Sequence, residues 1–266
     1  MKATVLFLSY NNFDEAAVTV ESLMKQTYTD AEIVLSDDAS TEDHSKLIYE
    51  AAEKLKTHFK NVRVNINEKN MGTVAHMNRL FKEIDDGCII FCSPGDAFPH
   101  EDTIANIVRR FEAGGELVLT GQRTDIKDGR KKTRPGALVG LALKLCPKLL
   151  MNYMVQKRNL ISSCCTAYTK ELFEKYGYLD EDYRLLDDFP YIVSLLQRGV
   201  KIGYTDEVFL EHSMEGGVST GDDIHPVILK DLMTMLRKLK ENPEGLSGRT
   251  LKSVEERLKG TPHKSA

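Results

Sequence analysis

Four short apolar runs, separated by segments of helical periodicity, constrain this chain more than any other feature. Thr4 to Leu8, Glu32 to Leu35, Val62 to Ile66 and Cys88 to Cys92 each have the length of a strand. Between the first two, Asp14 to Gln26 carries Ala17, Val20, Leu23 and Met24 on one helix face, with Asn12 as a candidate cap. Thr41 to Phe59, opened by Ser40 or Thr41, and Thr73 to Ile84 read as helices as well. Strands alternating with helices of this length form βαβ units. The expected class is therefore α/β, with a Rossmann-like, mostly parallel central sheet flanked by helices.

The pattern continues with a helix over Asp102 to Ala113 and a strand over Glu116 to Thr120. Its character then changes. Lys127 to Arg134 reads as a basic loop, and Ala137 to Met154 is apolar with Lys144, Pro147 and Lys148 inside it. Residues 159 to 204 return to a mixed α/β pattern. Asp223 to Glu241 reads as an amphipathic helix, with Ile228, Leu232, Met235, Leu236 and Leu239 on one face. Residues 247 to 266 are polar and basic and are expected to be peripheral.

The 266 residues suffice for one large or two small domains, and 41% apolar with 29% charged residues is ordinary for a soluble globular chain. A net charge of -4 argues against a globally basic nucleic-acid binder. The five cysteines are an odd count without a C-x-x-C spacing, which reads as free thiols in a reducing cytosol. The apolar N-terminus is cut off by Asn11-Asn12 and reads as a strand rather than a signal peptide. No apolar run reaches the ~18 to 20 residues of a membrane span.

In an open α/β sheet, ligands bind at the carboxyl ends of the strands. The first strand ends in Ser9-Tyr10-Asn11-Asn12, without the glycines of a dinucleotide-binding turn. Tyr10 either stacks on a base or packs at the strand end. The second strand runs into Asp37-Asp38-Ala39-Ser40-Thr41. A helix cap needs one carboxylate, not two. Paired carboxylates disfavour a bare phosphate but suit the hydroxyls and N–H groups of a nucleoside. In Asn70-Met71-Gly72, with Asn78 beyond, a glycine between strand and helix lets the backbone approach a phosphate or ribose. The fourth strand ends in Ser93-Pro94-Gly95-Asp96, where Asp96 is either a solvated turn residue or an oxygen ligand suited to Mg²⁺ or Mn²⁺. Finally, Asp187-Asp188 precede Phe189-Pro190, which any helix start favours, yet a carboxylate fixed there can also accept a proton.

In order and spacing these five pieces resemble the family 2 glycosyltransferases, which have the GT-A fold. Ser9-Tyr10-Asn11 matches the family's first strand end, and Asp37-Asp38-Ala39-Ser40-Thr41 its D-D-x-S-T turn. Asn70, Gly72 and Asn78 match its N-x-G element, and Asp187-Asp188 with Gly199 its late acidic pair. The segment around Phe173, Gly177, Leu179 and Asp180 matches the stretch ahead of that pair. One departure is clear: the usual D-x-D metal motif is reduced to Ser93-Pro94-Gly95-Asp96, a form found in part of the family.

The resemblance implies an inverting, metal-dependent hexosyltransferase using a nucleotide-diphosphate sugar, foremost a UDP-sugar. It implies Asp188 as general base, Mg²⁺ or Mn²⁺ at Asp96 with His212, and donor contacts from Ser9, Tyr10, Asn11, Asp37, Asp38, Asn70, Gly72, Asn78 and Gly95. The histidine reading takes in Gly217-Val218-Ser219 just beyond. Residues 1–220 form the expected GT-A catalytic domain: 1–100 the nucleotide-sugar half, 101–220 the acceptor half with a basic and apolar insertion at 127–158. Residues 221–266 form a C-terminal helical tail. The implied acceptor is a carbohydrate or lipid-linked saccharide in cell-surface polysaccharide or glycolipid synthesis, with no nucleic acid as partner. Rival readings are a non-catalytic sugar-nucleotide binder and a sugar-phosphate nucleotidyltransferase; the latter wants a basic, glycine-rich first loop absent here. Leu138, Leu141, Leu145 and Leu149, edged by lysines, suit a helix lying on the inner face of the cell membrane. They equally suit a helix packed on a cytoplasmic domain.

Overall fold

The computed structural model describes residues 1–213 and 225–260. The Gly217 to Ser219 stretch and the first two residues of the expected helix, Asp223 and Ile224, lie outside them.

The four apolar runs become β1 (Ala3–Ser9), β2 (Glu32–Asp37), β3 (Asn61–Ile66) and β4 (Cys88–Cys92). They pair in parallel in the order β3-β2-β1-β4. Crossover helices α1 (Ala16–Leu23), α2 (Ser45–Lys56) and α3 (Thr73–Glu83) join them, and α4 (Thr103–Gly114) follows β4. A sheet covered by helices on both faces buries every side chain of its central strands, so these strands read as continuous apolar runs rather than alternating ones. The two-residue period of a strand still divides them. Val5, Phe7, Ile33, Leu35 and Ile90 pack toward α1, α2 and α4. Leu6, Val34, Ile89 and Phe91 pack toward α3 and the later helices, where Phe81 stacks on Phe173 with ring centroids 4.3 Å apart.

Beyond β4 the sheet turns antiparallel. β4 pairs with β7 (Thr166–Thr169), which pairs with β5 (Val118–Lys127). β5 also pairs with β6 (Arg130–Arg134) and, in parallel, with β8 (Ile202–Ser213). The basic stretch expected as a loop is thus the arm of a hairpin. Its turn is Asp128-Gly129, both at positive φ, and the Asp-Gly pair is the hairpin signal that the basic composition masked.

The apolar segment forms two helices, α5 (Ala137–Leu145) and α6 (Pro147–Gln156), broken at Cys146 with Pro147 in the first helical position. Leu143, Leu150, Met151 and Met154 face the core, while Leu138, Leu141, Leu145 and Leu149 are 81%, 54%, 68% and 69% exposed. Two further helices, α7 (Lys170–Tyr176) and α8 (Asp188–Gln197), flank the acidic pair. α9 (Pro226–Glu241) buries Leu232, Met235, Leu236 and Leu239, as its periodicity predicts. The last segment is less peripheral than its composition suggests. α10 (Gly248–Lys259) is capped by the Ser247 hydroxyl, which accepts from the Thr250 N–H, and it buries Thr250 and Val254. No helix among the described residues is long and apolar enough to cross a membrane.

Candidate active site

The carboxyl ends of β1, β2 and β3 place the first three motifs along one sheet edge. Ser36 and Asp37 still belong to β2, and the charge of Asp37 is delivered beside Ser9 by the parallel register that pairs the two residues. Asp37 and Asp38 are both buried, and each carboxylate accepts three hydrogen bonds. Asp37 takes the Ser9 hydroxyl (2.9 Å), the Ser40 hydroxyl (2.6 Å) and the Ser40 N–H (2.8 Å). Asp38 takes the Asn67 amide (2.8 Å) and the N–H groups of Met71 (2.9 Å) and Gly72 (2.8 Å). Asn11, at positive φ, binds Thr41 through its side chain and Ser40 through its N–H. The acids therefore hold the 9–12, 38–41 and 70–72 loops in fixed relation. Tyr10 stands at the edge of this platform, 42% exposed.

A polar network beneath Asp38 escaped the sequence reading. The Ser36 hydroxyl contacts His76 Nε2 at 2.6 Å, and the Asn65 amide donates to Ser36 (2.8 Å) and Asn67 (3.0 Å), with Arg79 donating to both asparagines. Burial holds the His76 imidazole below its ordinary range. Asn78 faces elsewhere. Its amide donates to the Leu179 carbonyl and Glu181 and accepts from the Leu179 N–H, so it ties α3 to the segment ahead of the acidic pair.

The fourth motif is a tight turn. Asp96 Oδ2 accepts from the Ser93 N–H (2.9 Å), and Gly95, at φ +87°, takes the corner. Ala97 and Glu211 exchange backbone hydrogen bonds of 2.9 and 2.8 Å, which clamps the end of β8 to this turn. The clamp brings His212 to Asp96, with Nδ1 2.6 Å from Oδ1. Burial pulls the His212 pKa down, but the hydrogen bond and charge of Asp96 outweigh it and the net direction is up. One carboxylate and one imidazole are donors that Mg²⁺ or Mn²⁺ accepts. Among the described residues no cluster of three such ligands exists, so a cation here needs further oxygens, which a diphosphate supplies.

The fifth motif closes the site. Asp188 opens α8, where Oδ1 accepts from the Phe189 N–H (2.6 Å) and Oδ2 from the Ser163 N–H (3.3 Å). Burial pushes the pKa of Asp188 up. Burial and then the charge of Asp188 push its neighbour Asp187 to about 7. The 162–164 segment whose Ser163 N–H binds Asp188 is also gripped by Arg123 of β5, which pairs with Asp125 at 3.0 Å. Arg123 donates to the Ser162 hydroxyl (2.8 Å) and to Cys164 Sγ (3.1 Å). The Cys165 thiol beside Cys164, aided by Arg123, lowers the Cys164 pKa to about 6 against the effect of burial. The sequence reads these cysteines only as free thiols, since neither has a motif around it. A cavity of about 560 Å³ lies between α8 and α9, lined by Asp187, Pro190, Tyr191, Met235 and Leu239.

The glycosyl transferase family 2 model matches residues 4–177, well over half of the chain. The chain belongs to glycosyl transferase family 2. It is 28% identical over 187 residues to an uncharacterized glycosyltransferase of Nostoc, covering 68% of this chain and 54% of that protein. It is 22% identical over 221 residues to an O-antigen chain rhamnosyltransferase of Salmonella typhimurium, covering 80% and 67% respectively. The chain thus spans about half the length of the first relative and two thirds of the second. Among solved structures, S. aureus TarS 1–349 in complex with UDP-GlcNAc aligns with a TM-score of 0.69 at 18% identity, over 97% of this chain and 72% of that one. The mannosyltransferase PcManGT of Pyrobaculum calidifontis, in complex with GDP-Man and Mn²⁺, aligns with a TM-score of 0.65 at 15% identity, over 96% and 69%. These likenesses establish the expected GT-A architecture for this family 2 glycosyltransferase.

Proposed function

We propose that this glycosyltransferase moves a hexosyl group, with inversion, from a nucleotide-diphosphate sugar to a hydroxyl of a carbohydrate or lipid-linked saccharide in cell-surface polysaccharide or glycolipid synthesis. A UDP-sugar is the foremost donor. The observation that carries this reading is the contact of His212 with Asp96 at the end of β4, together with Asp188 held at the start of α8 by the 162–164 segment that Arg123 also grips. A site with a cation-ready pair opposite a carboxylate of raised pKa can stabilise a departing diphosphate and accept a proton.

Asp188 takes the acceptor hydroxyl's proton while that oxygen bonds to the anomeric carbon and the bond to the diphosphate oxygen breaks. Asp187 shares the acidic pocket and orients the acceptor. The platform of Ser9, Tyr10, Asn11, Asp37 and Asp38 receives the base and ribose, Tyr10 by stacking. The Asn70 to Gly72 loop and Gly95 border the phosphates, and Asn78 supports them through the 179–181 segment. Asp96 and His212 would hold Mg²⁺ or Mn²⁺, which when bound offsets the charge of the diphosphate. Residues 1–100 thus form the donor half and 101–220 the acceptor half, with 127–158 as an acceptor-side insertion. The donor reading is supported by relatives that are an O-antigen rhamnosyltransferase, a UDP-GlcNAc complex and a GDP-Man complex with Mn²⁺. The exposed leucines of α5 and α6, edged by lysines, support a cytoplasmic enzyme at the inner membrane face.

Calorimetry of UDP and GDP, with and without Mn²⁺, tests the donor reading, followed by hydrolysis of the sugar nucleotides of the preferred base. Asp96→Ala removes the carboxylate of the turn and should weaken Mn²⁺-dependent binding at least ~10-fold, the loss of one charged ligand. Unchanged Mn²⁺ dependence would put the cation elsewhere.

A further inference from the structure

The loop that carries the acidic pair is held by a residue no motif points to. Asp231 lies on α9 and is 2% exposed. Its Oδ2 accepts three consecutive backbone N–H groups: Arg184 at 3.0 Å, Leu185 at 2.7 Å and Leu186 at 3.0 Å. The next two residues are Asp187 and Asp188. Successive amides converging on one anion form a nest, and bonds to a charged acceptor are roughly twice as strong as neutral ones. The loop cannot shift without leaving a buried carboxylate unsatisfied.

Arg184 extends the hold to the donor side. Its guanidinium donates to the carbonyls of Asn70 (3.3 Å) and Met71 (3.4 Å) and to the Asn70 side chain. Its own carbonyl accepts from the Val74 N–H at 3.2 Å. Asp38 grips the same 70–72 loop from the opposite side. A continuous polar chain therefore runs from β2, through the 70–72 loop and Arg184, to Asp231 on α9.

We propose that Asp231 is a positioning residue for glycosyl transfer, setting through the 184–186 amides where Asp188 stands relative to the donor loop. α9 is then part of the reaction machinery, although it lies beyond the 4–177 stretch matched by the family. The inference rests on reading Asp188 as the base. A base displaced by about 1 Å loses on the order of 10²-fold in rate. Donor binding should hold, because Asp38 and the Arg184 side chain still fix the 70–72 loop.

The test compares wild type with Asp231→Ala and with the near-isosteric Asp231→Asn, which keeps one acceptor oxygen. Amide hydrogen exchange at 184–186 should rise at least ~10-fold in Asp231→Ala and less in Asp231→Asn, with β1, β2 and β4 unchanged. Turnover of UDP-GlcNAc or GDP-mannose with Mn²⁺, followed by nucleotide release, should drop ~10- to 100-fold in kcat, in the same order, with KM within ~3-fold. Unchanged exchange at 184–186, or wild-type kcat despite faster exchange there, overturns the proposal. Wild-type protein that consumes neither sugar nucleotide counts against the donor reading alone, and the exchange result then decides. Should Asp231→Ala fail to fold, Asp231→Asn carries both measurements.

Discussion

At the residue scale, the acids of this site divide by environment. Asp37 and Asp38 are surrounded by donors and build the loops, whereas Asp187 and Asp188 sit in a drier pocket that favours the neutral form. A base must be unprotonated to act. Burial raises Asp188 above the usual carboxylate range, beside Asp187 at about 7, so turnover should begin to fall at a pH above the usual carboxylate range near ~4. Asp188→Asn should lower turnover at least ~10²-fold while donor binding persists; wild-type turnover in that variant would exclude the base assignment. The same shift acts on stability. Between ~4 and about 7 the folded chain binds more protons than the unfolded chain, so stability falls as pH rises through that window. Asp187→Asn should flatten that slope in urea titrations at pH 5 and 8, with a gain at pH 8 of about 1 kcal/mol or more, one pKa unit's worth. Cys164, lowered to about 6, is expected to be more nucleophilic than Cys88, which burial raises to about 12, or Cys92, which burial also raises. Iodoacetamide at pH 7 should alkylate Cys164 first and suppress turnover; peptide mapping that finds Cys88 or Cys92 first would contradict this.

At the scale of elements, loops rather than helices carry the precision of the site. Gly72 has φ +82° and ψ 156°, a region essentially reserved for glycine. A Cβ there would stand 2.6 Å from Arg184 Cγ and 2.9 Å from the Arg184 carbonyl oxygen. The side chain can swing away, but the carbonyl cannot. Gly72→Ala should cost about 1–3 kcal/mol in urea unfolding from backbone strain and displace Arg184 as well. Unaltered stability would mean that the loop tolerates a wholly different path. The clamp between Ala97 and Glu211 is a second example, since only the strand end of β8 brings His212 to Asp96.

At the scale of the whole molecule, the exposed leucines of α5 and α6 stand beside Lys144 and Lys148, and the β5–β6 hairpin adds Lys127, Arg130, Lys131 and Lys132, all exposed. Each basic residue near an anionic membrane contributes about 1 kcal/mol. The protein should sediment with phosphatidylserine-containing liposomes, more so at higher anionic fraction and less in salt, and Leu145→Asp with Lys148→Glu should release it. Absence of binding at low salt would leave α5 and α6 as a solvated face.

The sequence alone determined the α/β class, the four parallel strands and the five motif positions, because apolar runs, helical spacing and strand-end acids are local signals. It also placed the break at Pro147, whose missing N–H suits a first helical position. It was silent where partners are distant in the chain. The Asp231 nest spans about 45 residues, the His212–Asp96 pair 116, and the Arg123–Cys164 contact 41. No periodicity encodes such pairings, which arise only when β5 pairs with β7 and β8 and when α9 packs beside the acidic loop. The antiparallel half of the sheet was likewise decided by tertiary pairing, since β5 meets β6, β7 and β8 through connections of very different length. Composition misled in the basic hairpin and in α10, where a few buried side chains outweigh a polar surface.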